Sequence, residues 1–174
     1  MKTFTQKQNL IRKAIDIAYA KHSKQTRKAS SDPYINHPIM VSYTVSNFKK
    51  SKNIHELIIA AILHDTLEDT NLKPEYITKH FGKLVSSLVF ELTDDKDRIK
   101  SEGKVEYQKS KWVGLSSYGL YIKLCDRLCN VLDNPKPEYK LNTIQILKHL
   151  KQKRKLSGSH KAVIIEIEKA CEGI

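Results

Sequence analysis

The sequence predicts an all-α protein. Apolar residues recur at intervals of three and four, no stretch alternates persistently with period two, and helix-starting residues stand ahead of several apolar runs. Leu10, Ile11, Ala14, Ile15, Ala18 and Tyr19 give an amphipathic helix over about residues 5–22, with Thr5 as its expected cap. The polar stretch 23–36 reads as a loop. Asn36 is the expected cap of a helix running through Val45, with Pro38 tolerated in its first turn. Asn53 is expected to cap the next helix, which carries His64-Asp65 near its C-terminal end. Lys73-Pro74-Glu75 opens a short helix that stops at Phe81-Gly82, where glycine suits a C-cap. Residues 83–93 form another helix, 94–104 a charged loop, and 105–112 a further helix. Ser116-Ser117 lead into a helix over 118–132 that stops before Asn134-Pro135-Lys136-Pro137. Helices over 139–153 and 159–171 complete the series, and no internal repeat is visible.

A chain of 174 residues with 40% hydrophobic and 29% charged content is most simply one domain with a core of its own. No apolar stretch is long enough to span a bilayer, and Met1-Lys2-Thr3-Phe4-Thr5-Gln6 lacks the apolar segment of a signal peptide. The three cysteines show no zinc-ribbon spacing, so free thiols in a reducing cytoplasm are the expectation. The net charge of +12 attracts polyanions without choosing among phosphorylated metabolites, nucleic acid and anionic lipid. Much of it lies in Lys21, Lys24, Arg27 and Lys28 and again in Lys148, Lys151, Lys153, Arg154 and Lys155; the later run reads as a solvated helix face.

His64 and Asp65 carry the chemistry. They follow the apolar run Leu57-Ile58-Ile59-Ala60-Ala61-Ile62-Leu63, where each polar side chain must be desolvated and then given a partner. One divalent cation repairs an imidazole and a carboxylate together. His37, in Pro33-Tyr34-Ile35-Asn36-His37-Pro38, and Asp126, in Lys123-Leu124-Cys125-Asp126-Arg127, supply two more candidate ligands. Two imidazoles with two carboxylates suit Mn²⁺, Fe²⁺ or Zn²⁺ better than Ca²⁺. On a continuous helix His64 would stack with Glu68 and Asp65 with Asp69. Three carboxylates that close repel one another unless a cation relieves them, which leaves Glu68 and Asp69 to orient and deprotonate a water. A metal-dependent hydrolase is the expected class.

Read in order, these segments resemble the HD-domain metal-dependent phosphohydrolases. The likeness is greatest to the hydrolase domain of RelA/SpoT-type enzymes, in particular the stand-alone small alarmone hydrolases of the metazoan SpoT-like (Mesh) type. Residues 20–28, Ala-Lys-His-Ser-Lys-Gln-Thr-Arg-Lys, with Pro33–Pro38 look like the family's first signature, and Ala60-Ala61-Ile62-Leu63-His64-Asp65-Thr66-Leu67-Glu68-Asp69-Thr70 like its second. Phe81-Gly82, Leu92-Thr93-Asp94-Asp95-Lys96 and residues 123–130 continue it, so the likeness spans about residues 5–133 of a single HD-type domain over 1–174. The resemblance implies that His37, His64, Asp65 and Asp126 ligate one Mn²⁺, that Glu68 and Asp69 activate the attacking water, and that Arg27, Lys28, Lys100 and Asn130 contact substrate. The implied reaction is hydrolysis of the 3′-diphosphate of ppGpp or pppGpp to GDP or GTP and pyrophosphate, with hydroxide at the metal attacking phosphorus. Tyr34 is read as packing beside the His37 turn, a structural role.

The chain departs from the pattern in places. Leu132 stands where the family usually carries arginine, with Lys136 or Lys140 as possible substitutes. Cys125 and Cys129 replace a small residue and a histidine or aromatic; both are expected to pack as reduced thiols. Residues 29–32, Ala-Ser-Ser-Asp, lack an expected glycine. Leu132 keeps open a second substrate, the 2′-phosphate of a nucleotide such as NADPH. A basic nucleic-acid-binding module with a vestigial metal site is the third reading, disfavoured by the absence of an aromatic platform or nucleic-acid motif. A nucleotide is thus the expected partner, nucleic acid and membrane are not, and no oligomeric state is assigned. The remaining length holds no synthetase domain, so hydrolysis without synthesis is expected.

Overall fold

A computed structural model describes residues 3–27, 30–133 and 135–172. Among these residues the protein is helical throughout, with no strand and one isolated bridge between Thr26 and Pro33. The all-α expectation holds. No helix of the described residues is long and apolar enough to cross a membrane. The chain divides into two compact units, one ending at Thr93 and one beginning at Asp94.

In the first unit, α1 (Phe4–Lys21), α2 (Asn36–Phe48) and α6 (Lys83–Leu92) pack against α3 (Ile54–Leu63), and α5 (Pro74–Phe81) packs on α6. Helix α3 is apolar almost all round and buries Leu57, Ile59, Ala60, Ala61, Ile62 and Leu63. Each large side chain buried there contributes about 1.5–3 kcal/mol over its exposed state. Helix α1 begins one turn-fraction earlier than expected: Thr3 is its cap, in a capping box with Gln6, and Thr5 is inside the helix. Asn53 holds the N-cap position of α3 as expected, without a side-chain cap bond; Asn36 is the first residue of α2, where Ile35 holds the cap position. Gly82 closes α5 at φ 91°, a conformation that favours glycine.

His64 and Asp65 are not inside one long helix. Helix α3 ends at Leu63, and a single-turn helix, α4 (Thr66–Asp69), restarts after Asp65. The cause is local competition for carbonyls. His64 Nδ1 takes Ala61 O at 2.7 Å and Thr66 Oγ1 takes Leu63 O at 2.6 Å, which are the acceptors that backbone N–H groups four residues on would use.

The second unit holds α7 (Lys96–Glu102), α8 (Lys104–Gly114), α9 (Ser117–Leu132), α10 (Pro137–Lys153) and α11 (Gly158–Cys171). Helix α9 packs on α11, and α10 packs on α8. Trp112, Leu120, Ile122, Leu124, Ile146, Leu147 and Ile167 are fully buried. The expected charged loop over 94–104 is instead largely α7. Asp95 accepts from the backbone of Asp97 and Arg98, Arg98 pairs with Glu102 at 2.6 Å, and Gly103 ends the turn at φ 81°. Those local bonds stabilise a helix whose composition alone reads as irregular. The late basic run is mostly exposed, but Arg154 is not a solvated cation. It donates to Trp112 O, Val113 O and Leu115 O, closing the C-terminal end of α8.

Candidate metal centre

The two arms of the loop after α1 are held together by backbone. Arg27 N donates to Asp32 O at 2.8 Å and Tyr34 N to Gln25 O at 3.0 Å. Turn bonds from Asn36 N to Pro33 O and from His37 N to Tyr34 O then lead into α2, burying His37 at 6% exposure in its first turn. His64, 2% exposed, lies against it with ring centroids 5.4 Å apart.

The His64 tautomer follows from its neighbours. A carbonyl oxygen only accepts, so Nδ1 carries the proton donated to Ala61 O, and in the neutral ring Nε2 carries the lone pair. Nε2 stands 2.8 Å from Asp65 Oδ2. A lone pair and a carboxylate oxygen that close require a cation or a proton between or beside them. Orientation of a ligating imidazole through its second nitrogen is the usual device of metal-binding histidines.

Tyr34, expected to pack beside the His37 turn, does so and also bonds Asp65, and Gln25, given no role in the sequence, joins the same cluster. The Tyr34 hydroxyl donates to Asp65 Oδ2 at 2.6 Å, while its ring contacts His22 at 4.9 Å and the His37 edge at 5.9 Å. Gln25 takes the His22 Nδ1 proton at 2.6 Å and donates to Asp69 O at 3.0 Å, tying the loop to the end of α4. Arg27 is half-buried, its guanidinium carbon 5.7 Å from the Tyr34 ring centroid. Glu68 is half-buried and Asp69 exposed on α4, and Asp69 N donates to Asp65 O at 3.0 Å. The one-turn relation between Asp65 and Asp69 therefore survives the helix break. Lys28 lies outside the described residues.

In the second unit, Asp126 is 6% exposed on α9. Its Oδ1 accepts from Asn130 Nδ2 at 2.6 Å, and its Oδ2 lies 3.2 Å from Lys123 Nζ. The helical i, i+4 spacing that singled out Asn130 thus joins it to Asp126, and Lys123 was the partner not anticipated. Lys100 is exposed in the last turn of α7, on a helix rather than in a loop. All three cysteines are free thiols; Cys125 and Cys171 are buried, Cys129 is half-buried, and burial raises the Cys171 pKa. Leu132 is 67% exposed.

A family profile described as the HD domain matches residues 14–116. The chain belongs to the HD-domain family. Among curated relatives, guanosine-3′,5′-bis(diphosphate) 3′-pyrophosphohydrolase MESH1 of Xenopus tropicalis is 40% identical over 125 residues, covering 71% of this chain and 69% of its own. The Homo sapiens protein of the same description is 39% identical over 123 residues, covering 69% and 66% respectively. The chain thus spans about two thirds of the length of these relatives. A solved structure described as a metazoan ortholog of SpoT that hydrolyses ppGpp and plays a role in starvation responses matches with a TM-score of 0.75 at 28% identity. That match covers 92% of this chain and 94% of the other. The HD-domain family implies a divalent metal, and the donor chemistry of His37, His64 and Asp65 fits one.

Proposed function

We propose that this chain is a Mn²⁺-dependent hydrolase of guanosine 3′,5′-bis(diphosphate), releasing pyrophosphate from the 3′ position of ppGpp or pppGpp and leaving GDP or GTP. The observation that carries the reading is the His64–Asp65 pair at 2.8 Å, its tautomer set by Ala61 O, in a chain about 40% identical to MESH1 proteins described by that activity.

In this reading His37, His64, Asp65 and Asp126 hold the ion. When bound, it lowers the pKa of a coordinated water and offsets phosphate charge. Mn²⁺ suits the mixed imidazole and carboxylate set, with Fe²⁺ and Zn²⁺ as substitutes. Glu68, half-buried on α4, takes the proton of the attacking water, and Asp69 one residue on helps to orient it. Water adds to the 3′ phosphorus, the P–O bond to the ribose breaks, and the 3′ oxygen takes up the proton that Glu68 accepted from that water and leaves as a hydroxyl. Arg27 lies flat on the purine, and Lys28 and Lys100 counter phosphate charge. Asn130 contacts the nucleotide while its amide nitrogen steadies Asp126. Free thiols and a nucleotide substrate support a cytoplasmic location.

The deciding experiment incubates Mn²⁺-loaded protein with ppGpp, NADPH and ordinary nucleotides and separates the products by chromatography. Pyrophosphate from ppGpp is the expected result. Orthophosphate from NADPH would move the assignment to a 2′-phosphatase, a reading to which exposed Leu132 in place of an arginine lends weight. No turnover of any nucleotide would overturn the enzymatic reading.

A further inference from the structure

We propose that Tyr34 is a positioning residue that joins metal ligation to substrate recognition: its hydroxyl fixes the Asp65 carboxylate, and its ring face carries Arg27. The inference rests on the metal and substrate roles proposed above.

The hydroxyl half of the argument is a matter of distances. Tyr34 Oη donates to Asp65 Oδ2 at 2.6 Å, and the same oxygen lies 2.8 Å from His64 Nε2. Hydrogen bonds to an ionised acceptor are short and roughly twice as strong as neutral ones. Asp65 lies at the junction of two helices, between the end of α3 and the start of α4. The phenol bond holds Oδ2 on the side that faces His64.

The ring half depends on what immobilises the tyrosine. Its backbone N–H is bound to Gln25 O and its carbonyl to His37 N–H, while His22 and His37 flank the ring at 4.9 and 5.9 Å. On this fixed ring the Arg27 guanidinium carbon sits 5.7 Å from the centroid, within the range of a cation–π contact. A movement of Arg27 onto a purine and a movement of Asp65 therefore meet at one side chain. A tyrosine that merely packed would need only its ring.

The two functions separate by substitution. Tyr34→Phe keeps the ring and loses the hydroxyl. Its Mn²⁺ affinity, read without substrate from the free-ion EPR signal, is expected to fall about 10- to 100-fold, the usual cost of losing a partner of a metal ligand. Its KM for ppGpp at saturating Mn²⁺ should stay near that of the unaltered protein. Tyr34→Leu loses both groups and should show the same metal loss with KM raised about two- to fivefold. Arg27→Ala should raise KM and leave Mn²⁺ affinity unchanged. Unaltered Mn²⁺ affinity in Tyr34→Phe, beside a His64→Ala control that loses the ion, overturns the role of Tyr34 alone. If His64→Ala binds Mn²⁺ as tightly as the unaltered protein, the metal reading falls with it. Should Tyr34→Leu fail to fold by circular dichroism, Tyr34→Phe decides the hydroxyl role, and Tyr34→Met, which keeps bulk without an aromatic face, decides the ring role through its KM at saturating Mn²⁺.

Discussion

The His64–Asp65 junction and the Arg127 cluster both bury charge-capable groups, one in each compact unit, and they do so in opposite ways. Arg127 is 3% exposed, and its guanidinium sits among hydrogen-bond acceptors and aromatic faces. Nη1 donates to Thr143 Oγ1 at 2.8 Å and Nη2 to Gln108 Oε1 at 2.6 Å, while Trp112 and Tyr139 present ring faces at 5.0 and 4.6 Å. Nη1 and Nη2 each meet an acceptor and the cation meets two π faces, which ties α8, α9 and α10 together, while the Trp112 indole N–H stays buried without an acceptor. At His64–Asp65 a ring nitrogen and a carboxylate oxygen stand 2.8 Å apart, with Glu68 and Asp69 a turn away. Burial of charge is common to both. What marks chemistry is the gathering of groups of like polarity that only a cation or a proton reconciles.

Substitutions sharpen that contrast, and the largest effect is expected at the junction. Asp65→Ala should abolish turnover and strip the metal while leaving helicity intact. Metal analysis and pyrophosphate release check this, and full activity in chelator-treated buffer contradicts it. Glu68→Gln should retain the ion but lower kcat by about 10²- to 10⁴-fold, since it removes only the proton acceptor. Parallel metal and rate measurements separate the two effects. Arg127→Ala should do the reverse, costing about 2–4 kcal/mol of stability in urea unfolding, because Gln108 and Thr143 lose a buried partner and two aromatic rings lose a cation. A cost below about 0.5 kcal/mol would mean the guanidinium does not tie the three helices together as described. The smallest change is at Ser31, which adopts φ 61° beside the arm that holds Arg27. Ser31→Gly should stabilise by up to about 1 kcal/mol, a shift of a few degrees at most in the melting temperature.

The Ser31 backbone also shows what could be read in advance. The lack of a glycine in residues 29–32 was visible in the sequence, and within that stretch Ser31 is a non-glycine residue with positive φ. Most helices were equally legible, since their apolar period and flanking Pro, Gly and Ser residues report on local geometry. The Thr3 cap was legible too, through Gln6 three residues on, although Thr5 is the more obvious choice beside the apolar pattern. Helix α7 was not, because Asp-Asp-Lys-Asp-Arg reads as irregular until Asp95 is seen bonded to the following backbone. The break at His64 was hidden as well: no proline or glycine marks it, and side-chain donors to Ala61 O and Leu63 O make it. Spacing within one helix gave the Asp126–Asn130 relation. The Tyr34–Asp65 bond spans 31 residues and depends on tertiary packing, which no local pattern reveals.

Arg154 changes how the cationic tail is to be handled. Its guanidinium is a structural plug for three carbonyls at the end of α8, embedded in a run that otherwise looks interchangeable. Efforts to make this protein less adhesive to polyanions by trimming charge should target Lys148, Lys153 and Lys155, which are exposed, and spare Arg154. Neutralising all of them together would confuse reduced stickiness with an unravelled helix.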